Sequence, residues 1–478
     1  MIDDFLIALQ DGLFDPPRQG KCPMNDLPNE LLSYVFQLGV EIEPGDQGSV
    51  WQDVNDGRDS FTIRKFEWEG GDDDGASVNS SDSISTGVQY GDTLPFQVLV
   101  SHVCRYWRSV ALNTPRFWTR LRFSRRRGLA QMKEYISRSN GCPLIIDIDY
   151  YVWDVDMTTD QGHSTEDEEK VKVLGLEKLD QILGLLEPTI SQWGRFVFWS
   201  EDYVYSVFLM SRLDKLPAAP HLESFHVHNI LDIAETPLAE AQYPTNYLPF
   251  HGQVPNLKEV AIREVPIDWE GALPNFLRGL RVLKLLHQKT DTRPTYAAFA
   301  EIINNSPELH ALTLFNAGPV LANDIAFDSH AAWGPVPLSL PSLTRLGLKS
   351  HELHYATALV RHLDMPNLMH LDLNFDFDAD YSYFVQALAK PVRGRGQSLL
   401  RTITHLTVVG LSFNSTNANI FLSELISLKS LCVQPLRAED RFISNALTDP
   451  RGVAIGPGSV DPPGIFCPKL EEVALNLD

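Results

Sequence analysis

Pro366–Leu373 reads PNLMHLDL. Leu371 and Leu373 alternate with His370 and Asp372, which is the period-two pattern of a strand that buries one face. The form P-x-L-x-x-L-x-L recurs as PHLESFHV at Pro220, PNLKEVAI at Pro255, PELHALTL at Pro307, PSLTRLGL at Pro341 and PKLEEVAL at Pro468. Copies without the proline are LRGLRVLKL from Leu277, RTITHLTV from Arg401 and SLKSLCV from Ser427. The first Leu or Ile of the nine copies falls at 222, 257, 280, 309, 343, 368, 403, 428 and 470, spaced 23 to 42 residues apart. Self-similarity at such a spacing is the signature of a stacked repeat.

Between the cassettes, 296–304, 354–363, 381–389 and 417–426 carry apolar residues at helical spacing. Strand, connection, helix and strand at this period predict a right-handed α/β solenoid, with parallel strands on one face and helices on the other. CPLIIDID from Cys142 and WGRFVFW from Trp193 read as further strands ahead of the repeats. In each L-x-L the leucines point to the core and their neighbours point away. The outward set is His226, His228, Glu259, Arg263, Lys284, Phe315, Arg345, Lys349, His370, Asp372, Asn374, His405 and Gln434. Lined up across parallel strands, these form one continuous concave face rich in Lys, Arg and His. Such a face suits an acidic or phosphorylated protein ligand through charge-assisted hydrogen bonds.

Ahead of the repeats stand two helical pieces. In LPNELLSYVF, Leu27–Phe36, the pairs Leu31/Val35 and Leu32/Phe36 sit four apart, Pro28 suits a first helical turn, and Asn25 or Asp26 can cap. In LPFQVLVSHVCRYWRSVALNTPRFWTRL, Leu94–Leu121, the residues Val100, Val103, Cys104, Trp107, Val110 and Ala111 predict one helical face, ended by Asn113-Thr114-Pro115.

Together the two pieces resemble the F-box, in the form typical of large fungal F-box families. LPNELLSYVF is similar to the opening helix, and Val103-Cys104, Trp107-Arg108, Ala111 and Thr114-Pro115 follow the family's order without a gap. The repeats resemble the leucine-rich-repeat family. The F-box resemblance implies docking on the Skp-type adaptor of a cullin–RING ubiquitin ligase through Leu27, Pro28, Leu31, Leu32, Val35, Phe36, Val103, Cys104 and Trp107. The repeat face then holds a protein substrate. The alternative is an interaction scaffold whose helices only cap the first repeat.

The expected organisation is a segment over 1–22, a helical domain over 23–122 interrupted at 41–92, and the solenoid over 123–478. Residues 41–92 hold thirteen acidic residues against Arg58, Arg64 and Lys65, a composition that predicts disorder. Ile2, Phe5, Leu6, Leu9 and Leu13 are spaced as a short amphipathic helix. Arg120, Arg122, Arg125, Arg126 and Arg127 read as an exposed turn at the domain junction. With 40 basic residues against 62 acidic, the net charge of −22 argues against nucleic acid or an anionic membrane as partner. The five cysteines (Cys22, Cys104, Cys142, Cys432 and Cys467) never fall at C-x-x-C spacing, so they predict buried free thiols in a cytosolic or nuclear protein. The chain stops at Asp478 just after the last cassette, leaving an edge for a partner or for missing sequence to cover.

No catalytic set emerges from spacing, and neither a metal nor a cofactor is expected. His351 and His354 in HELH are three apart, where a zinc helix needs four. Asp376, Asp378 and Asp380 open like a calcium loop, but Tyr381 and Ala387 stand where Gly and Glu are required. His221, His226 and His228 have no carboxylate or thiol partner at ligand spacing, and no phosphate-binding or nucleophile-elbow motif is present.

Overall fold

The computed structural model describes residues 23–42, 95–124, 128–150, 165–200, 202–230, 247–273, 275–320, 333, 336–375, 380–391, 396–413, 415–434, 443 and 466–475. The helix expected within 2–13, the acidic excursion beyond residue 42, Arg125–Arg127 and the aspartates at 376 and 378 lie outside these residues. The chain divides into two compact units, Met1–Thr119 with Glu134–Cys142, and Arg120–Lys133 with Pro143–Asp478.

The first unit packs α1 (Asn29–Ile42) against α2 (Phe96–Val103) and α3 (Arg105–Leu112), followed by a 3-10 turn at Pro115–Trp118. Leu32, Phe36 and Val40, spaced by four, form the buried stripe of α1. Phe36 lies 5.2 Å from the Trp107 ring and 5.7 Å from Phe117, and Trp118 follows at 5.4 Å from Phe117. The Trp118 indole N–H donates to the Ala111 carbonyl at 2.8 Å, so the donor of this buried ring is matched. Gly39 lies against the Phe96 ring, in space a Cβ would occupy, and this lets α1 and α2 approach. The single helix expected through Val100–Ala111 is two helices. Cys104 is extended (φ −156°, ψ 171°), and its sulfur accepts from the Trp107 N–H at 3.4 Å, capping α3. The break re-phases the face: Val100, Val110 and Ala111 are buried, whereas Val103 is exposed.

The second unit is built on a 12-stranded sheet whose neighbouring strands are all parallel. It starts with β1 (Arg120–Ser124), β2 (Leu144–Tyr150) and β3 (Trp193–Ser200). The nine cassettes supply β4 (Ser224–Asn229), β5 (Glu259–Arg263), β6 (Val282–Leu286), β7 (Ala311–Phe315), β9 (Arg345–Lys349), β11 (His370–Asn374), β12 (His405–Val409), β13 (Ser430–Gln434) and β14 (Glu472–Leu475). Each begins two residues after its first Leu or Ile. The short β8 (Leu338–Ser339) and β10 (Leu363–Asp364) pair separately. Arg120 and Arg122 are therefore not in an exposed turn. They stand in the first strand, where Leu121 and Phe123 alternate inward, and the sheet begins earlier than expected.

Helices back the sheet. After α4 (Leu129–Ser139), whose residues from Glu134 belong to the first unit, they are α5 (Thr165–Leu186), α6 (Tyr203–Leu213), α7 (Trp269–Ala272), α8 (Tyr296–Asn304), α9 (Leu353–His362), α10 (Ser382–Ala389) and α11 (Ser415–Glu424). The last four match the expected helical segments to within two residues at each end. The strands end on a repeated device. Glu264, His287, Asn316, Ser350 and Gly410, each the residue after its strand, have φ between 44° and 65°. Their backbone N–H groups donate to the carbonyls of Leu286, Phe315, Lys349, Asn374 and Gln434, which carries the ladder one residue past the strands. Backbone bonds thus close each turn, so no recurring asparagine frame is needed.

Candidate functional site

Two surfaces carry the residues singled out from sequence. On the helical unit, the nine positions assigned by resemblance to adaptor binding divide cleanly. Leu32 and Phe36 are 0% and 1% exposed and belong to the core, while Leu27, Cys104 and Trp107 are half-buried. Pro28 is exposed, and Leu31, Val35 and Val103 are 53%, 41% and 59% exposed. Tyr34, Leu99 and Leu112, which sequence reasoning did not select, are exposed beside them on the same helices. Their signal was present: Tyr34 follows Leu31 by three, and Leu99 precedes Val103 by four. Six of the sixteen exposed large hydrophobic residues among those described lie on α1–α3. The Tyr106 hydroxyl lies 3.0 Å from the Leu27 carbonyl and 2.9 Å from Asn29 Oδ1, tying the start of α1 to α3.

The second surface is the sheet face turned away from the buried leucines. Its register sets three rows. One contains Ser224, Glu259, Arg345, His370 and His405. The next contains His226, Lys284 and Asp372, and the third His228, Arg263, Phe315, Lys349 and Asn374. The outward positions expected to hold a substrate do not form one open face. His226, His228, Lys284, Phe315 and Lys349 are 7% exposed or less, whereas Arg263, Arg345, His370 and Asp372 are half-buried and His405 is exposed. Much of the middle of the face is closed, and among these side chains only His405, on β12, is exposed.

The closed part is held by its own polar contacts. The Ser224 hydroxyl donates to Glu259 Oε2 at 3.2 Å and lies 3.1 Å from His226 Nε2, with Glu259 Oε1 at 3.3 Å from the same nitrogen. A serine, a histidine and a glutamate thus meet, but both partners of the imidazole sit on the same ring nitrogen, Nε2. A nucleophilic relay needs the carboxylate on the ring nitrogen opposite the hydroxyl, and this trio does not have that arrangement. Burial pushes the Glu259 carboxyl up, but the His226 hydrogen bond, with Arg195 and Lys284 nearby, outweighs it and holds the group at about 2. Burial lowers the His226 imidazole against the opposing Glu259 bond. His228 is lowered well below its ordinary value by burial and then by His226, Arg263 and Lys284. Its ring stacks on Trp199 at 4.1 Å, a contact that sequence reasoning missed although strand parity places both residues on this face. Lys349 pairs with Asp372 at 2.7 Å across β9 and β11. Phe315 packs 3.9 Å from the His287 ring.

Elsewhere, His351 is a core residue. Its Nε2–H donates to the Leu314 carbonyl at 2.9 Å, while His354 is exposed. On β2, burial raises the half-buried Asp147 against the charges of Arg122, Arg120 and Arg195, so the two arginines of β1 lie near an acid. Of the thiols expected to be buried, Cys467 is; Cys104, Cys142 and Cys432 are half-buried, Cys104 because it caps a helix, and Cys22 lies outside the described residues. Among the described residues no group of three or more His, Cys, Asp or Glu is placed to hold a metal ion, and no helix is long and apolar enough to cross a membrane. The chain matches no model of a known protein family, and no curated protein matches it.

Proposed function

We propose that this chain is a substrate-recognition adaptor. In this reading its helical unit is an F-box that seats on the Skp-type adaptor of a cullin–RING ubiquitin ligase, and its leucine-rich-repeat-like sheet holds a protein client. The carrying observation is the division of apolar side chains on α1 and α2. Leu32, Phe36 and Val100 are enclosed by their own unit, while Leu31, Tyr34, Val35, Leu99 and Val103 face outward. Covering such a side chain is worth about 1.5–3 kcal/mol, so a helical pair this small gains from a second surface. A helix pair serving only as a repeat cap would bind no such adaptor.

In this reading the chain has no reacting group and needs no cofactor; it acts by holding two proteins close. Neither a nucleic acid nor a membrane is a partner, and the protein works in the cytoplasm or nucleus. Purification of the tagged full chain from cells tests the proposal: a Skp-type adaptor and a cullin come down with wild type and are lost with Leu31→Asp. Absence of the adaptor from the wild-type preparation overturns it.

A further inference from the structure

The last strand breaks a rule that the other eleven keep. Register runs one inward row from Leu121 on β1 through Phe225, Leu312 and Leu431 to Val473 on β14. Every member as far as Leu431 is 2% exposed or less, whereas Val473 is 48% exposed. Glu472 and Ala474 on either side of it are exposed as well. Among the described strands β14 pairs only with β13. The Glu472 N–H donates to the Lys429 carbonyl at 2.9 Å, so in a parallel ladder Glu472 and Ala474 turn their backbone groups toward β13. Val473 then turns its N–H and C=O to the open edge. β1, at the other end, is different: its inward Leu121 and Phe123 are 0% and 3% exposed. The charge at the open edge is acidic. Glu472 is the one charged residue of β14 and accepts from Ser430 at 3.4 Å, and the exposed Glu471 precedes it, 3.7 Å from Lys429. Lys469 lies in the turn, three residues ahead of the strand.

We propose that β14 is a strand-addition site, which takes an extended segment of another protein in which apolar residues alternate with Lys or Arg. The backbone groups of Val473 pair with the incoming strand as each earlier strand pairs with its neighbour. An apolar residue set beside Val473 continues the inward row and covers the one member left open. The residues before and after it point to the opposite face, where a cation meets Glu472. Charge selects the occupant. An acidic segment would set its second face against Glu472 and against a chain of net charge −22, and a second copy of this chain would bring another Glu471 and Glu472 to the same short edge. This goes beyond the client reading above, because the edge is available whatever the sheet face holds.

The test titrates the full chain into a fluorescein-labelled hexapeptide amide, Val-Lys-Val-Arg-Val-Thr, and into its counterpart with Glu at the second and fourth positions. The site predicts saturable binding of the basic peptide and binding of the acidic one weaker by about tenfold or more. Amide exchange over 471–475 slows when the basic peptide is bound. Val473→Pro removes an N–H that β13 does not use, a change that edge strands tolerate. It weakens binding by about tenfold or more while the circular dichroism is unchanged. Glu472→Lys leaves the backbone intact and decides the matter alone if the proline variant does not fold: it reverses the preference between the two peptides. Absence of saturable binding, slowed exchange confined to other strands, or a preference that Glu472→Lys leaves as in wild type overturns the proposal. Sedimentation of the full chain without peptide covers the other occupant. A dimer that is lost in Val473→Pro gives the edge to a second copy and overturns its assignment to a basic strand.

Discussion

Leu31 and Leu32 are adjacent in sequence and opposite in fate. Leu32 is wholly enclosed with Phe36 and the Trp107 and Phe117 rings nearby, while Leu31 stands more than half exposed. Leu32→Ala removes buried methyl groups and leaves a cavity, so it lowers the stability of the helical unit by about 2–5 kcal/mol in urea titration. Leu31→Ala leaves the urea midpoint within about 0.5 kcal/mol of wild type, because its side chain supports little of the folded unit. Helical spacing showed that both are apolar and four from a partner. It did not show which stripe faces inward, because a strip of Leu31/Val35 and a strip of Leu32/Phe36 have the same period. Cys104 escaped for a related reason. Helix starts are read from Ser, Thr, Asp or Asn, and a thiol doing that work interrupts the helix without the usual mark.

At the level of elements, the repeat is a strand, a left-handed residue and a return. The left-handed residue is glycine only at Gly410 among the five turns, and Glu, His, Asn and Ser accept positive φ at the others. Each non-glycine there costs about 1–2 kcal/mol in local conformation, offset by the backbone bond that extends the ladder. Gly410→Ala (φ 65°) therefore lowers the stability of the sheet unit by about 1–2 kcal/mol, read as a lower urea midpoint at unchanged slope. The nine cassette strands were legible because each L-x-L keeps its phase relative to the leucine ahead of it. β1 was not: Leu121 and Phe123 alternate as in any strand, but the arginines around them read as a solvated turn until Asp147 is seen beside them. The left-handed turns were silent as well, since a ladder closed by backbone needs no particular side chain.

For the whole molecule, the buried histidines make stability depend on pH. Burial lowers His351 from 6.5 to about 3 against the opposing Leu314 hydrogen bond. Burial, then Arg263, lowers His287 to about 4, and His226 and His228 are lowered too. These groups are neutral in the fold and take up protons when unfolded below about 6.5. Their contribution is complete above that pH and is lost progressively as pH falls toward 3, at about 1.4 kcal/mol per unit for each histidine. Glu259, held at about 2, adds the same sign below about 4.5. Urea denaturation from pH 7 to 4 shows a falling midpoint, and His351→Gln flattens the slope by up to one proton; a flat wild-type profile contradicts the assignment. This closed polar interior was the least legible feature. Strand parity gives the side of the sheet a residue faces, whereas enclosure depends on contacts such as Trp199 over His228 that no local pattern encodes.

The central claim joins these scales: exposed helical residues seat on one protein while the sheet displays another. Calorimetric titration of a purified Skp-type adaptor into the full chain tests it most directly, beside Leu31→Asp/Val35→Asp with its circular dichroism recorded. The account predicts saturable one-to-one binding to wild type and none to the double variant, with the two spectra superimposable. No heat with wild type, or undiminished affinity in the double variant, contradicts it.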